Sequence, residues 1–177
     1  MPLWLAPVER AGTSPQGLNR RREADLKHRK AYLVLLCLLI LLTLGFIWGN
    51  SLKSIPESQA VSLSYLDRFG PFLDAVFGPG RITDHIIRKS AHFAEFALLG
   101  AELRLLFLLL RQKGLQGFSN SLFAGLCTGV ADETIQIFSE RGSRVSDVVL
   151  DFSGVVFGAL AITLIACLCR RRKVRKG

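Results

Sequence analysis

The sequence predicts an all-α fold: a polytopic membrane bundle of four transmembrane helices, with interfacial helices in the outer loop. Three observations carry this expectation. First, the 177 residues are 50% hydrophobic, with a mean hydropathy of +0.34, yet they hold 23 Lys+Arg against 14 Asp+Glu. Second, the charges are segregated: residues 31–48 carry none, whereas 19–30 and 170–176 hold six basic residues each. Third, apolar stretches of roughly 20 residues recur, the length a helix needs to cross about 30 Å of hydrocarbon. Basic soluble proteins spread their charges along the chain, so this pattern argues against a nucleic-acid binder. It also excludes a secreted disulfide scaffold, a fibrous chain and a disordered one.

The elements follow in order. Residues 1–30 contain Pro2, Pro7 and Pro15 and show no sustained period, so they read as a disordered basic cytoplasmic tail lying on anionic lipid. The span 31–48 follows; its long basic lead and the Phe46-Ile47-Trp48 end mark a signal-anchor and not a cleaved signal. The outer segment 49–89 opens with Ser51, Ser54, Ser58, Ser62 and Ser64 and continues with Leu63, Leu66, Phe69, Leu73, Val76 and Phe77. Pro71 interrupts that apolar pattern, so short helices lying in the interface are expected. Thr83 is the expected N-cap of a helix that continues into the second span, 90–110.

The connection 111–117 is short and has two glycines, which predicts an antiparallel hairpin between the second span and the third, 118–138. The fourth span is 148–169, and 170–177 is a second basic tail, leaving 31–169 as one transmembrane domain. Fifteen Lys and Arg lie on the side of the termini and seven on the other, which places both termini in the cytoplasm of a multi-pass inner-membrane protein. Cys37, Cys127, Cys167 and Cys169 all fall inside spans, so they are expected to be small apolar packing residues and not disulfide partners.

Charges within the spans need a reason, because an ionised group facing lipid at mid-membrane costs about 2.5–3.5 kcal/mol. On a helix, Arg88, His92, Glu95, Leu99 and Glu102 share an arc of about 80°. On the third span Gly125, Thr128, Gly129, Asp132 and Gln136 share a face, and on the fourth Asp147, Asp151, Gly154, Gly158 and Ala161 do. Small residues at four-residue spacing allow close approach, so the last two faces are expected to pack together and bury their carboxylates. Glu102 and Arg104 point roughly 200° apart and do not pair; Arg104 is expected to snorkel toward the inner interface.

Counting about 1.5 Å per residue, His92, Glu95, Asp132, Gln136 and Asp151 fall in one layer near the outer boundary, crowned by Arg88, Lys89, Arg141 and Arg144. Three readings fit this layer. It is a charge-paired structural core; a site for an anionic head group, drawn by the basic residues and a helix N-terminus; or an acid-base centre of His92 with Glu95 or Asp132. No cofactor or metal is expected, because H-x-x-E matches neither the H-E-x-x-H nor the E-x-x-H spacing of known metal sites.

The residues also resemble a family. Lys89-x-x-His92-x-x-Glu95-Phe96-x-x-Leu99-Gly100 is similar to the K-x-x-H-x-x-E-[YF]-x-x-L-G signature of VanZ-like membrane proteins. Asp132-Glu133-x-x-Gln136-x-Phe138, then Arg141, then Asp147-Val148-x-x-Asp151-x-x-Gly154-x-x-x-Gly158 resembles that family's second block, and Ser51, Ser58 and Ser62 resemble its serine-rich stretch. Where members often have Pro-Gly before the arginine, this chain has Ser139-Glu140.

The resemblance implies a bacterial inner-membrane protein whose family namesake lowers susceptibility to the glycopeptide teicoplanin. It marks Lys89, His92, Glu95, Asp132, Glu133, Gln136, Arg141, Asp147 and Asp151 as the functional set. With Arg88 and Arg144 added from the basic residues above the layer, the expected binding residues are Arg88, Lys89, Glu133, Gln136, Arg141, Arg144, Asp147 and Asp151, with His92, Glu95 and Asp132 as catalytic candidates. The expected partners are membrane lipids, with an anionic lipid or cell-wall precursor as ligand and no nucleic acid.

Overall fold

The computed structural model describes residues 15–112, 114–138 and 144–175. These form five helices: α1 (Pro15–Ser51), α2 (Ile55–Phe77), α3 (Asp84–Leu109), α4 (Gly114–Phe138) and α5 (Val145–Arg175), with no strand among the described residues. The chain divides into two units, residues 1–35, whose described part is the start of α1, and residues 36–177, which hold the core and the candidate site. Two helical segments, Leu26–Ser51 and Val145–Arg172, are long and apolar enough to cross a membrane. Helices α3 and α4 have comparable length, 26 and 25 residues, but α3 carries both acidic and basic side chains and α4 carries Asp132 and Glu133.

Polarity is inverted relative to a water-soluble bundle. Ser51, Glu102, Arg104, Ser121, Asp132, Glu133, Gln136 and Asp151 are buried, while Leu41, Leu42, Phe46, Phe123, Phe157, Leu160 and Leu164 face outward. A soluble chain seldom hides this much charge or shows such large apolar area. The apolar core is correspondingly narrow, a seam of Leu36, Ile40, Ile47, Phe96, Leu99, Leu103 and Val155. Cys37, Cys127, Cys167 and Cys169 also lie on the exposed faces, so they do not pack the interior as expected.

Successive long helices alternate in direction. Thr43 meets Glu102 and Asn50 meets Glu95, so α1 and α3 are antiparallel. Gly117 lies against Arg104 and Gly129 against Phe96, the order of an antiparallel α3–α4 hairpin. The turn between them is shorter than expected, closed by Arg111 at φ 64° and Gly114 at φ 67°. Helix α5 then runs parallel to α3: Gly154 packs on Phe93 and Ala97, and Gly158 on Ala97 and Ala101. This corrects the expected pairing of glycine faces. The α5 glycines seat α3, whereas the α4 face meets α5 where Gly125 receives Val155 and Gly129 lies 3.6 Å from the Asp151 Cβ.

Three other expectations change. Helix α1 begins at Pro15, inside the stretch expected to be irregular, and α5 runs to Arg175; extending an existing helix gains one hydrogen bond per residue fixed, without a new nucleus. Helix α2 continues through Pro71 instead of breaking into short pieces. The residue before it is Gly70, which lacks the Cβ that a proline ring otherwise strikes. Arg104 does not snorkel: it is buried, and its Nε donates to Thr163 Oγ1 at 2.9 Å.

The helix starts are capped as their sequences require. Thr83 accepts from the Ile86 N–H at 3.4 Å, as expected of an N-cap. At α2 the Glu57 carboxylate accepts from both the backbone N–H and the hydroxyl of Ser54, at 2.9 and 2.8 Å. The backbone bond, then the hydroxyl bond, hold Glu57 below the ordinary carboxylate pKa. The cap is therefore fully present above that ordinary range and lost as pH falls through the lowered pKa. Amide exchange in the first turn of α2 is expected to accelerate on acidification, and Glu57→Gln should remove that dependence.

Candidate functional site

The site is built where four helices end or begin at the same level. Helix α1 ends on Asn50 and Ser51, and α3 presents Arg88, Lys89, His92 and Glu95 on successive turns. Helix α4 contributes Asp132, Glu133 and Gln136 from its last two turns, and α5 contributes Asp147 and Asp151 from its first two, with Arg144 just before it. Arg141 lies outside the described residues.

The floor is acidic and enclosed. Asp132 is 0% exposed; Ser51 donates to its Oδ1 at 2.6 Å, and the Gln136 amide donates to its Oδ2 at 2.8 Å. These two donors, one on α1 and one on α4, hold the carboxyl group between the two helices. Glu133 accepts the Arg144 backbone N–H at 3.1 Å, which ties the start of α5 to the end of α4. Asp151 is 1% exposed; its Oδ1 stands 4.0 Å from His92 Nδ1, and its Oδ2 is buried with no hydrogen-bond partner among the described residues. Glu95 accepts from the Asn50 amide at 3.0 Å through Oε1.

The rim is basic but already engaged. Lys89 forms an ion pair with Asp147 across the α3–α5 interface. Arg88 pairs with Asp84 one turn earlier on α3, at 3.2 Å. Both pairs are partly exposed, so their net worth is modest, and a stronger anion can exchange for either carboxylate. Arg144 is exposed at the start of α5.

Two cavities share this wall. The larger, about 380 Å³, gathers Arg88, Lys89, His92, Glu133, Gln136, Arg144, Asp147 and Asp151, eight of the expected site residues. The smaller, about 270 Å³, lies over Asn50, Lys53, Ser62 and Tyr65, and Glu95 faces it. Arg88 and His92 line both. Asp132 lines neither, because Ser51 and Gln136 seal it. Glu95 and His92, paired in one form of the expected acid-base centre, thus meet the same small cavity, and ligand atoms of His92, Asp132 and Asp151 lie within 4.8 Å of one another.

Sequence reasoning placed Ser51 in a serine-rich stretch but assigned Ser51 and Asn50 no role in the site. The available signal was position: both end an apolar helix at the depth where the other helices carry their acids. One turn-set deeper, Thr43 donates to Glu102 at 3.0 Å, a second polar link between α1 and α3 that no local spacing announces.

The arrangement sets basic side chains at a rim above buried carboxylates at the floor. No curated protein and no solved structure matches the chain. The family model described as VanZ/LLP1 matches residues 30–166, a range that contains every residue of both cavities. The family match and the two apolar helices together point to a membrane protein. The layer of buried Asp132, Gln136 and Asp151 and half-buried His92, set on helices of alternating direction, is thus carried by a chain that belongs to the VanZ/LLP1 family.

Proposed function

We propose that the protein crosses the inner membrane four times, through α1, α3, α4 and α5, with both termini in the cytoplasm. In this reading the polar layer opens to the outer leaflet and binds the phosphate-bearing head group of an anionic lipid or lipid-linked cell-wall precursor. The alternating helix directions and the excess of basic residues beside the termini support the topology. By altering access to that precursor, the protein changes susceptibility to glycopeptides such as teicoplanin.

The observation that carries the binding reading is the larger cavity, about 380 Å³, with Arg88, Lys89 and Arg144 in its wall. Ligand pockets run about 300–1,000 Å³, so this one suits a head group whose acyl chains stay in lipid. An incoming phosphate would compete with Asp84 and Asp147 for Arg88 and Lys89, forming charge-assisted bonds while the displaced, partly exposed carboxylates turn to solvent.

Native mass spectrometry of the purified protein tests this. Wild type is expected to retain one phosphate-bearing lipid. A Lys89→Ala, Arg144→Ala variant should lose it at least tenfold, whereas Arg68→Ala, outside both cavities, should not. Equal retention by all three would refute the cavity as the site. Conversion of the retained lipid to a new product by wild type would establish the alternative, in which the layer is an intramembrane acid-base centre.

A further inference from the structure

We propose that His92, Asp132 and Asp151 form a binding site for one divalent cation of the zinc or manganese class. Each comes from a different helix, α3, α4 and α5, and one ligand atom of each lies within 4.8 Å of the others. Bonds of about 2.0–2.2 Å place ligands roughly 3.3–4.3 Å apart across a metal, so a small side-chain rotation closes the set. One imidazole nitrogen with two carboxylate oxygens suits zinc or manganese better than calcium, which takes oxygen alone.

Asp151 makes the second, independent case. Its side chain is almost wholly buried, and its Oδ2 has no hydrogen-bond partner among the described residues. A buried carboxylate oxygen left bare has lost its water without gaining a partner, which is costly, and a bound cation removes that cost. Two nearby basic side chains are engaged elsewhere, Lys89 with Asp147 and Arg88 with Asp84. Ser51 and Gln136 each donate to one oxygen of Asp132, which orients the carboxylate as outer hydrogen bonds orient a metal ligand.

The larger cavity borders the set through His92 and Asp151, so the remaining coordination positions face open space. A divalent cation there offsets the charge of the two aspartates, and a coordination position left open would take an anionic oxygen from below while the basic rim attracts it from above. The metal site does not depend on the lipid reading, since it rests on three protein side chains.

The test uses the full chain, purified in detergent with a histidine-free tag, stripped with chelator and dialysed against zinc or manganese chloride. Elemental analysis is expected to find one metal per wild-type chain. Asp151→Asn and His92→Ala should each weaken binding at least 100-fold, and Glu57→Gln should not. X-ray absorption of zinc-loaded wild type should show a single imidazole among oxygen donors, a readout that needs no variant to fold. Less than 0.1 metal per wild-type chain, a sulfur-containing shell, or undiminished binding by a folded Asp151→Asn would overturn the proposal. Lipid retention measured on the stripped protein reports separately on the cavity.

Discussion

Gly158→Ala is expected to destabilise the bundle more than any other single-methyl addition tested on α5. A Cβ at position 158 would overlap the Ala97 carbonyl oxygen and come within 2.8 Å of the Ala101 nitrogen. Backbone atoms of a helix cannot rotate aside, so α3 and α5 must separate. Overpacking of this kind costs about 1–3 kcal/mol and occasionally more. Separation would also stretch the Arg104–Thr163 bond and the Lys89–Asp147 pair, both of which join the same two helices. Gly45→Ala on α1 is the control: nothing lies within 4 Å of its added methyl. Since glycine costs a helix roughly 0.5–1 kcal/mol relative to alanine, that variant should be neutral or slightly stabilised. Reversible denaturation in mixed micelles compares the two. Equal stability would mean that α3 and α5 do not cross at these glycines.

Asp132→Ala is expected to have the second large effect. It removes the acceptor of two buried donors, the Ser51 hydroxyl and the Gln136 amide. Each unsatisfied buried donor costs about 1–3 kcal/mol, so a loss on the order of 3–5 kcal/mol is expected. Asp132→Asn keeps the shape and one acceptor, and should lose less. A double-mutant cycle between Ser51→Ala and Asp132→Asn should give a coupling within the roughly 0.5–3 kcal/mol typical of directly bonded pairs. Additive effects of the two substitutions would show that the α1–α4 link carries no energy, and the floor would then have to be held by other residues.

Much of the architecture was legible from local pattern. The start of α3 at Asp84 followed from Thr83, because a cap is a property of a few adjacent residues. The polar stripe of α3 followed from helical periodicity, and the two signature blocks led to the family that residues 30–166 match. Helix α2 was misread at Pro71 because the proline was weighed alone, without the glycine before it. Arg104 was misread because snorkelling assumes a lipid-facing side chain; its burial against Thr163 is set by the neighbouring helix.

The candidate site divides in the same way. The sequence singled out His92, Asp132, Gln136 and Asp151, since apolar spans seldom hold such residues without use. It could not rank their partners. His92 was set beside Glu95 or Asp132 by spacing and depth, and the structure adds Asp151 from another helix at 4.0 Å. Metal binding was discounted on the spacing within one helix, but the three convergent side chains come from three.

By itself, then, the sequence determined the all-helical class, the segregation of charge, the shared level of the polar residues and the family. Each of these depends on residues close together along one helix, where 3.6 residues per turn and 1.5 Å per residue convert position directly into geometry. Tertiary structure alone decided which acid meets which donor, that the α5 glycines receive α3, and that Ser51 seals Asp132. Those contacts join residues up to 81 positions apart. They depend on the relative rotation and shift of packed helices, which no local period specifies.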